Sequence, residues 1–156
     1  MSSRKKPYQK KPFESNGISS DVSANIYESM IKSNAFRDLT KEQQMLYVIC
    51  KLQLYAEKKK PIPGEPSFTM SRCKALAYGS YTESNRKGLP RDIAALVDHG
   101  LIDCVCDGSN TRSKNIYRLS DRWQMWGKEG YKTPIKFMTR KMRNSQKTVV
   151  KNPPDD

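Results

Sequence analysis

Histidine occurs once in this sequence, at position 99, and no apolar run approaches the roughly 18 residues of a membrane span. The basic N-terminus is not followed by an apolar stretch, so a secretory signal is not expected and a cytoplasmic protein without a membrane role is. A Gly-rich phosphate loop is missing, as are an H-E-x-x-H pair and any clustered carboxylate pair. One histidine cannot supply the metal-binding set of a relaxase or nuclease, and the tyrosines read as packing residues. The chain is therefore expected to be no enzyme and to use no cofactor.

Cysteine is sparse: Cys50, Cys73, Cys104 and Cys106. In a cytoplasmic protein these are reduced thiols. Cys104 and Cys106 would share one face of a strand, and with His99 the only histidine they do not complete a tetrahedral zinc set. No metal is expected, and the cysteines read as small buried apolar residues.

Negative charge is also scarce. Against 29 Lys and Arg stand 16 Asp and Glu, a net charge of +13 that favours a polyanionic partner. Residues 1–16 hold Arg4, Lys5, Lys6, Lys10 and Lys11 against Glu14, and 128–156 carry a net +5. Both ends are low in apolar residues, with Pro and like charges that repel. A disordered basic arm over 1–18 and a basic, partly helical tail over 128–156 are expected. In that tail Ile135, Phe137, Met138 and Met142 suit a weak amphipathic helix.

Between the ends, the pattern is ordered. Residues 19–36 read as a helix capped by Ser20 or Asp21, with Ile26, Met30 and Ile31 as its apolar positions. The next helix opens on a capping box, Thr40 with Gln43. Met45, Val48, Ile49 and Leu52 form its stripe, widened by Leu46 and Cys50. Lys58, Lys59 and Lys60 suit its C-terminal dipole, and Pro61 stops it. "SFTM" (67–70) suits a short strand, and Ser71 caps a brief helix closed by Gly79. Leu89, Ile93, Leu96 and Val97 then mark a helix that starts near Leu89, fed by a turn over 84–88. Pro90 is tolerated in its first turn, and Gly100 ends it. Leu101–Cys106 and Lys114–Leu119 form a hairpin. Ser120 or Asp121 caps a last short helix carrying Trp123 and Trp126.

Helix, helix, short strand, short helix, turn, helix, strand, loop, strand is the chain order of a winged helix-turn-helix. The segments "DLTKEQQMLYVICKLQLYAEKKKP", "FTMSRCKALAYG" and "RDIAALVDHGLIDCV…TRSKNIYRLSDRW" carry the resemblance. Over roughly residues 40–119 the chain resembles winged-helix DNA-binding proteins. More narrowly, it is similar to small proteins of Gram-positive conjugative plasmids and integrative elements. The resemblance implies an α+β, mostly helical winged-helix domain over 19–127 with a small antiparallel sheet and hairpin wing. It implies an accessory DNA-binding factor in transfer, replication or transcription, with double-stranded DNA as partner and a relaxase, replication or transcription protein as a second one. Pro90 departs from the pattern by shortening the helix that would enter the groove.

Charge follows the same map. Residues 71–91 carry Arg72, Lys74, Arg86, Lys87 and Arg91 against Glu83, whereas 92–107 carry Asp92, Asp98, Asp103 and Asp107 and no cation. The hairpin then supplies Arg112, Lys114 and Arg118. Arg86, Lys87 and Arg91 would enter the major groove at the start of the third helix, and an Arg there can bond a guanine edge bidentately. Ser84 and Asn85 would touch phosphate from the turn, with Arg72 and Lys74 straddling the backbone. Arg112 and Lys114 on the wing would follow phosphates or probe the minor groove, and Arg118 on the following strand joins the nucleic-acid-binding set. The acidic far end of the helix should face away. The plain alternative for any one of these cations is a solvated charge that keeps the protein soluble. The rival function is a winged-helix protein-interaction module, an adaptor in a replication or transfer complex or an inhibitor of a nucleic-acid enzyme. RNA binding lacks the aromatic strand signature of stacking sheets. The pattern is compatible with a monomer or a homodimer.

Overall fold

The computed structural model describes residues 22–85, 87–108 and 113–132. The basic arm 1–18, the caps Ser20 and Asp21, Arg86, Arg112 and the amphipathic stretch from 133 onward lie outside the described residues.

The helix expected over 19–36 is instead two short ones, α1 (Glu28–Ile31) and α2 (Asn34–Asp38). The break is at Ser33, whose backbone is extended and whose Oγ serves both neighbours. It donates to the Met30 carbonyl at 2.6 Å and accepts from the Phe36 amide at 3.2 Å. Such local bonding competes with helix continuation, and here the kink lets both Met30 and Phe36 reach the core.

Helix α3 (Lys41–Ala56) starts on the capping box. The Gln43 amide donates to Thr40 Oγ1 at 3.4 Å, and the Thr40 amide donates to Gln43 Oε1 at 3.0 Å. At the other end Lys60 donates to the Leu54 carbonyl, one of the orphan acceptors a helix leaves there. The expected stripe is rotated. Leu46, Tyr47, Ile49, Cys50, Gln53 and Leu54 are buried, while Met45 is 53% exposed. The reason is that α3 is covered from two sides. Phe36 packs edge-on against Tyr47 at 6.2 Å, and the later helix and first strand cover the opposite flank. Lys51 is drawn in as well, donating to the Asn25 carbonyl beneath the Tyr27 and Tyr47 rings. Burial lowers its pKa.

Strand β1 (Ser67–Thr69) leads through the Ser71 cap into α4 (Arg72–Ala77). Helix α5 (Gly88–Asp98) follows, then β2 (Ile102–Cys106) and β3 (Ile116–Leu119). The sheet is antiparallel in the order β1-β3-β2, so the late hairpin is anchored by the early strand. Phe68 of β1 stands opposite Tyr117 of β3, their rings 5.9 Å apart in the core. Pairing shifts between Cys104 and Cys106, which face Tyr117 and Ile116 in turn. That bulge breaks the alternation expected to keep both cysteines on one buried face. Cys106 is exposed, as is Cys73, and Cys50 alone is buried.

Helix α5 ends on a left-handed glycine, Gly100, with φ of +73°. Gly100 donates to the Val97 carbonyl at 3.0 Å and Leu101 to the Leu96 carbonyl at 2.9 Å, the paired bonds of a Schellman end. A Cβ there would also lie 2.7 Å from the Trp123 amide. In place of the expected last α-helix, Arg122–Met125 is a single 3-10 turn. Its Trp123 packs on the core and Trp126 stacks on His99 at 4.6 Å. His99 ties the ends together, with Nδ1 2.8 Å from the Ala95 carbonyl and Nε2 2.9 Å from Asp38 Oδ2. Among the described residues no helix is long and apolar enough to cross a membrane.

Candidate nucleic-acid interface

The start of α5 is built by the turn before it. Asn85 Oδ1 accepts the Gly88 amide at 2.9 Å, a cap that settles one of the free donors of the first turn. An added Cβ at 88 would lie 2.4 Å from the Asn85 side-chain nitrogen, so a larger residue there would displace the capping side chain. Pro90 then sits in the first turn, where its missing N–H has no intrahelical partner to lose. Leu89, Ile93, Leu96 and Val97 face the core. Lys87, Pro90, Arg91 and Asp98 are exposed on the other side, with small Ala94 between.

Arg91 is 72% exposed, yet it does not wave freely. Its Nε donates to Asp92 Oδ1 at 3.0 Å and its Nη2 to Oδ2 at 3.4 Å. Asp92 is 1% exposed. Its carboxylate also accepts from Gln43 Nε2 at 3.1 Å and from the Tyr81 hydroxyl at 3.0 Å. One carboxylate thereby joins α3, the turn before α5 and the outward guanidinium. The hydrogen bond to Asp92 pushes the Arg91 pKa up. Burial, then the same carboxylate, pushes Tyr81 up. Asp92 is thus no part of an acidic far end facing away; it is the internal anchor of the cation beside it.

The other cations fall into two groups. Lys74 is turned inward, donating to Glu57, to the Thr69 carbonyl at 3.0 Å and to Thr69 Oγ1 at 3.1 Å. Arg72 bonds Glu83 through both its carboxylate, at 2.9 Å, and its backbone carbonyl. Ser84 Oγ lies 3.0 Å from Thr82 Oγ1, and both Ser84 and Asn85 are exposed. Lys114 is exposed and lines a cleft of about 320 Å³ together with Met70, Ser71, Leu89, Pro90, Ile93 and Tyr117. The root of the hairpin and the start of α5 thus flank one opening. Arg118 lies across the sheet from Asp103, at 3.6 Å, and Arg122 holds the same carboxylate at 2.6 Å.

Gln43, Tyr81 and Asp92 were missed as parts of this site. The signal for Asp92 is its spacing: 89, 92, 93 and 96 fall on one helical face, so it had to point inward with the leucines. Among the described residues no group of His, Cys, Asp and Glu could hold a metal ion. No family model matches this chain, and neither curated proteins nor solved structures give a significant match.

Proposed function

We propose that this chain is a winged-helix, sequence-preferring double-stranded DNA-binding protein, an accessory factor in the transfer, replication or transcription of a mobile element. In this reading α5 enters the major groove and the β2–β3 hairpin follows the backbone or minor groove. The observation that carries it is the outward face of α5. Lys87 and Arg91 are exposed there beside Pro90 and small Ala94, and Pro90 lines the same cleft as Lys114. Small residues beside long cations let a helix backbone come close to a groove while the cations reach phosphate and base edges. The element order and the β1-β3-β2 sheet support the same reading.

A second reading, a protein-interaction module, draws on the exposed Tyr27, Ile31, Met45 and Tyr55 of α1, α3 and the segment before α1. Fluorescent duplexes titrated with the full chain over a salt series separate the two. The expected result is binding that weakens with salt and is competed by unlabelled duplex, because displaced counterions drive it. No binding to any duplex at low salt sinks the DNA reading and leaves the protein-interaction one.

A further inference from the structure

We infer that Arg91 is an aimed guanine reader and that Asp92, Tyr81 and Gln43 are the positioning residues that aim it. This rests on the DNA-binding reading and names what that site recognises: one G·C pair, from its major-groove edge.

The argument starts from the donors of a guanidinium. Arginine has five N–H groups in a rigid plane. Asp92 takes the side-on pair, Nε at 3.0 Å and Nη2 at 3.4 Å. The end-on fork, one N–H on each terminal nitrogen, is left over, and among the described residues nothing else bonds it. Two parallel donors match the two acceptors, O6 and N7, that guanine shows in the major groove. Adenine shows an acceptor beside a donor and would leave one N–H facing another.

Charge decides between a base edge and a phosphate. The Arg91–Asp92 pair is neutral as a unit, and a phosphate drawn to the fork would also meet the Asp92 carboxylate. A base edge carries no charge and pays no such penalty. Pairing with Asp92 therefore gives up electrostatic pull and gains direction. The fixing is thorough, because Asp92 is itself buried and held by Gln43 and Tyr81 from separate parts of the chain. A guanidinium already locked in its plane loses less freedom on bonding.

Selection from a pool of randomised duplexes tests this with the full chain, wild type beside Arg91→Lys, Asp92→Asn and Tyr81→Phe. Arg91→Lys keeps the charge and removes the fork. Since Arg91 is at the surface, that variant stays folded even if Asp92→Asn does not. The expected result is enrichment of guanine at one position in wild type. Arg91→Lys loses it by roughly ten- to a hundredfold. Tyr81→Phe and Asp92→Asn blur it, and Asp92→Asn, by freeing the Arg91 charge, also raises affinity for random duplex and steepens its salt dependence. A selected sequence unchanged by Arg91→Lys overturns the inference and spares DNA binding. Equal binding of all duplexes does the same. No binding to any duplex overturns both.

Discussion

Two segments of this chain look alike in sequence and differ in space. Around α4 lie Arg72 and Lys74; around the start of α5 lie Lys87 and Arg91. The first pair is taken up by carboxylates of the chain itself, Arg72 by Glu83 at the surface and Lys74 by the largely buried Glu57. The second faces outward, and its one ion pair among the described residues is made with a buried carboxylate that directs the cation instead of hiding it. Charge counted along a sequence is therefore not charge offered to a partner. What separates the two segments is where the nearest carboxylate sits: beside the amino group of Lys74, but behind the guanidinium of Arg91.

The strongest way to break this contrast is to remove the carboxylate behind Arg91. Asp92→Ala leaves the buried Tyr81 hydroxyl and the half-buried Gln43 amide without their acceptor, at a cost of about 3 kcal/mol. Urea denaturation followed by fluorescence checks this, and a loss below about 1 kcal/mol would mean that the network does not hold the helix. Alkaline titration comes next. Burial pushes Tyr47 and Tyr117 up to about 12, and an unfolded tyrosine ionises near 10. A raised folded pKa means the folded chain keeps a proton that the unfolded one has lost. Stability is thus intact below about pH 10 and falls from there toward pH 12, on the order of 2 kcal/mol for each ring. Tyr117→Phe should flatten that fall; an unchanged slope would show that the ring is not shielded as its burial implies.

Local bonding was legible in the sequence, and long-range partnering was not. The Thr40–Gln43 box and the Gly100 end of α5 are each complete within about six residues, so spacing alone gives them away. The outline of helices, hairpin and short early strand follows from the same kind of signal. Ser33 is different: it breaks a helix because Met30 and Phe36 must both reach the core, which no window around it reveals. Lys74 could not be told from Lys87, since its partner Glu57 is 17 residues away across a loop. At the site, the outward cations Lys87, Arg91 and Lys114 were legible from charge and periodicity. The aiming of Arg91 was not, because Gln43 is 49 residues from Asp92. Sequence also placed Arg86 and Arg112 there, and both fall outside the described residues.

The smaller effects sharpen the comparison by crossing it. Lys74→Met should cost about 1–2 kcal/mol in urea, because Glu57 loses a partly buried charged partner. Its binding to duplex DNA should keep the wild-type salt dependence. Lys87→Ala should do the reverse. Among the described residues this exposed lysine has no carboxylate partner, so it contributes almost nothing to folding and the denaturation midpoint should not move. If it meets a phosphate, the slope of log K against log salt becomes shallower by about 0.9, the counterion released at one contact. A Lys74 variant that alters the slope, or a Lys87 variant that leaves it unchanged, would show that the two segments are not divided as the ion pairs divide them. Were both variants to change the slope equally, the Glu57 pair would have to open on binding, and α4 would belong to the interface after all.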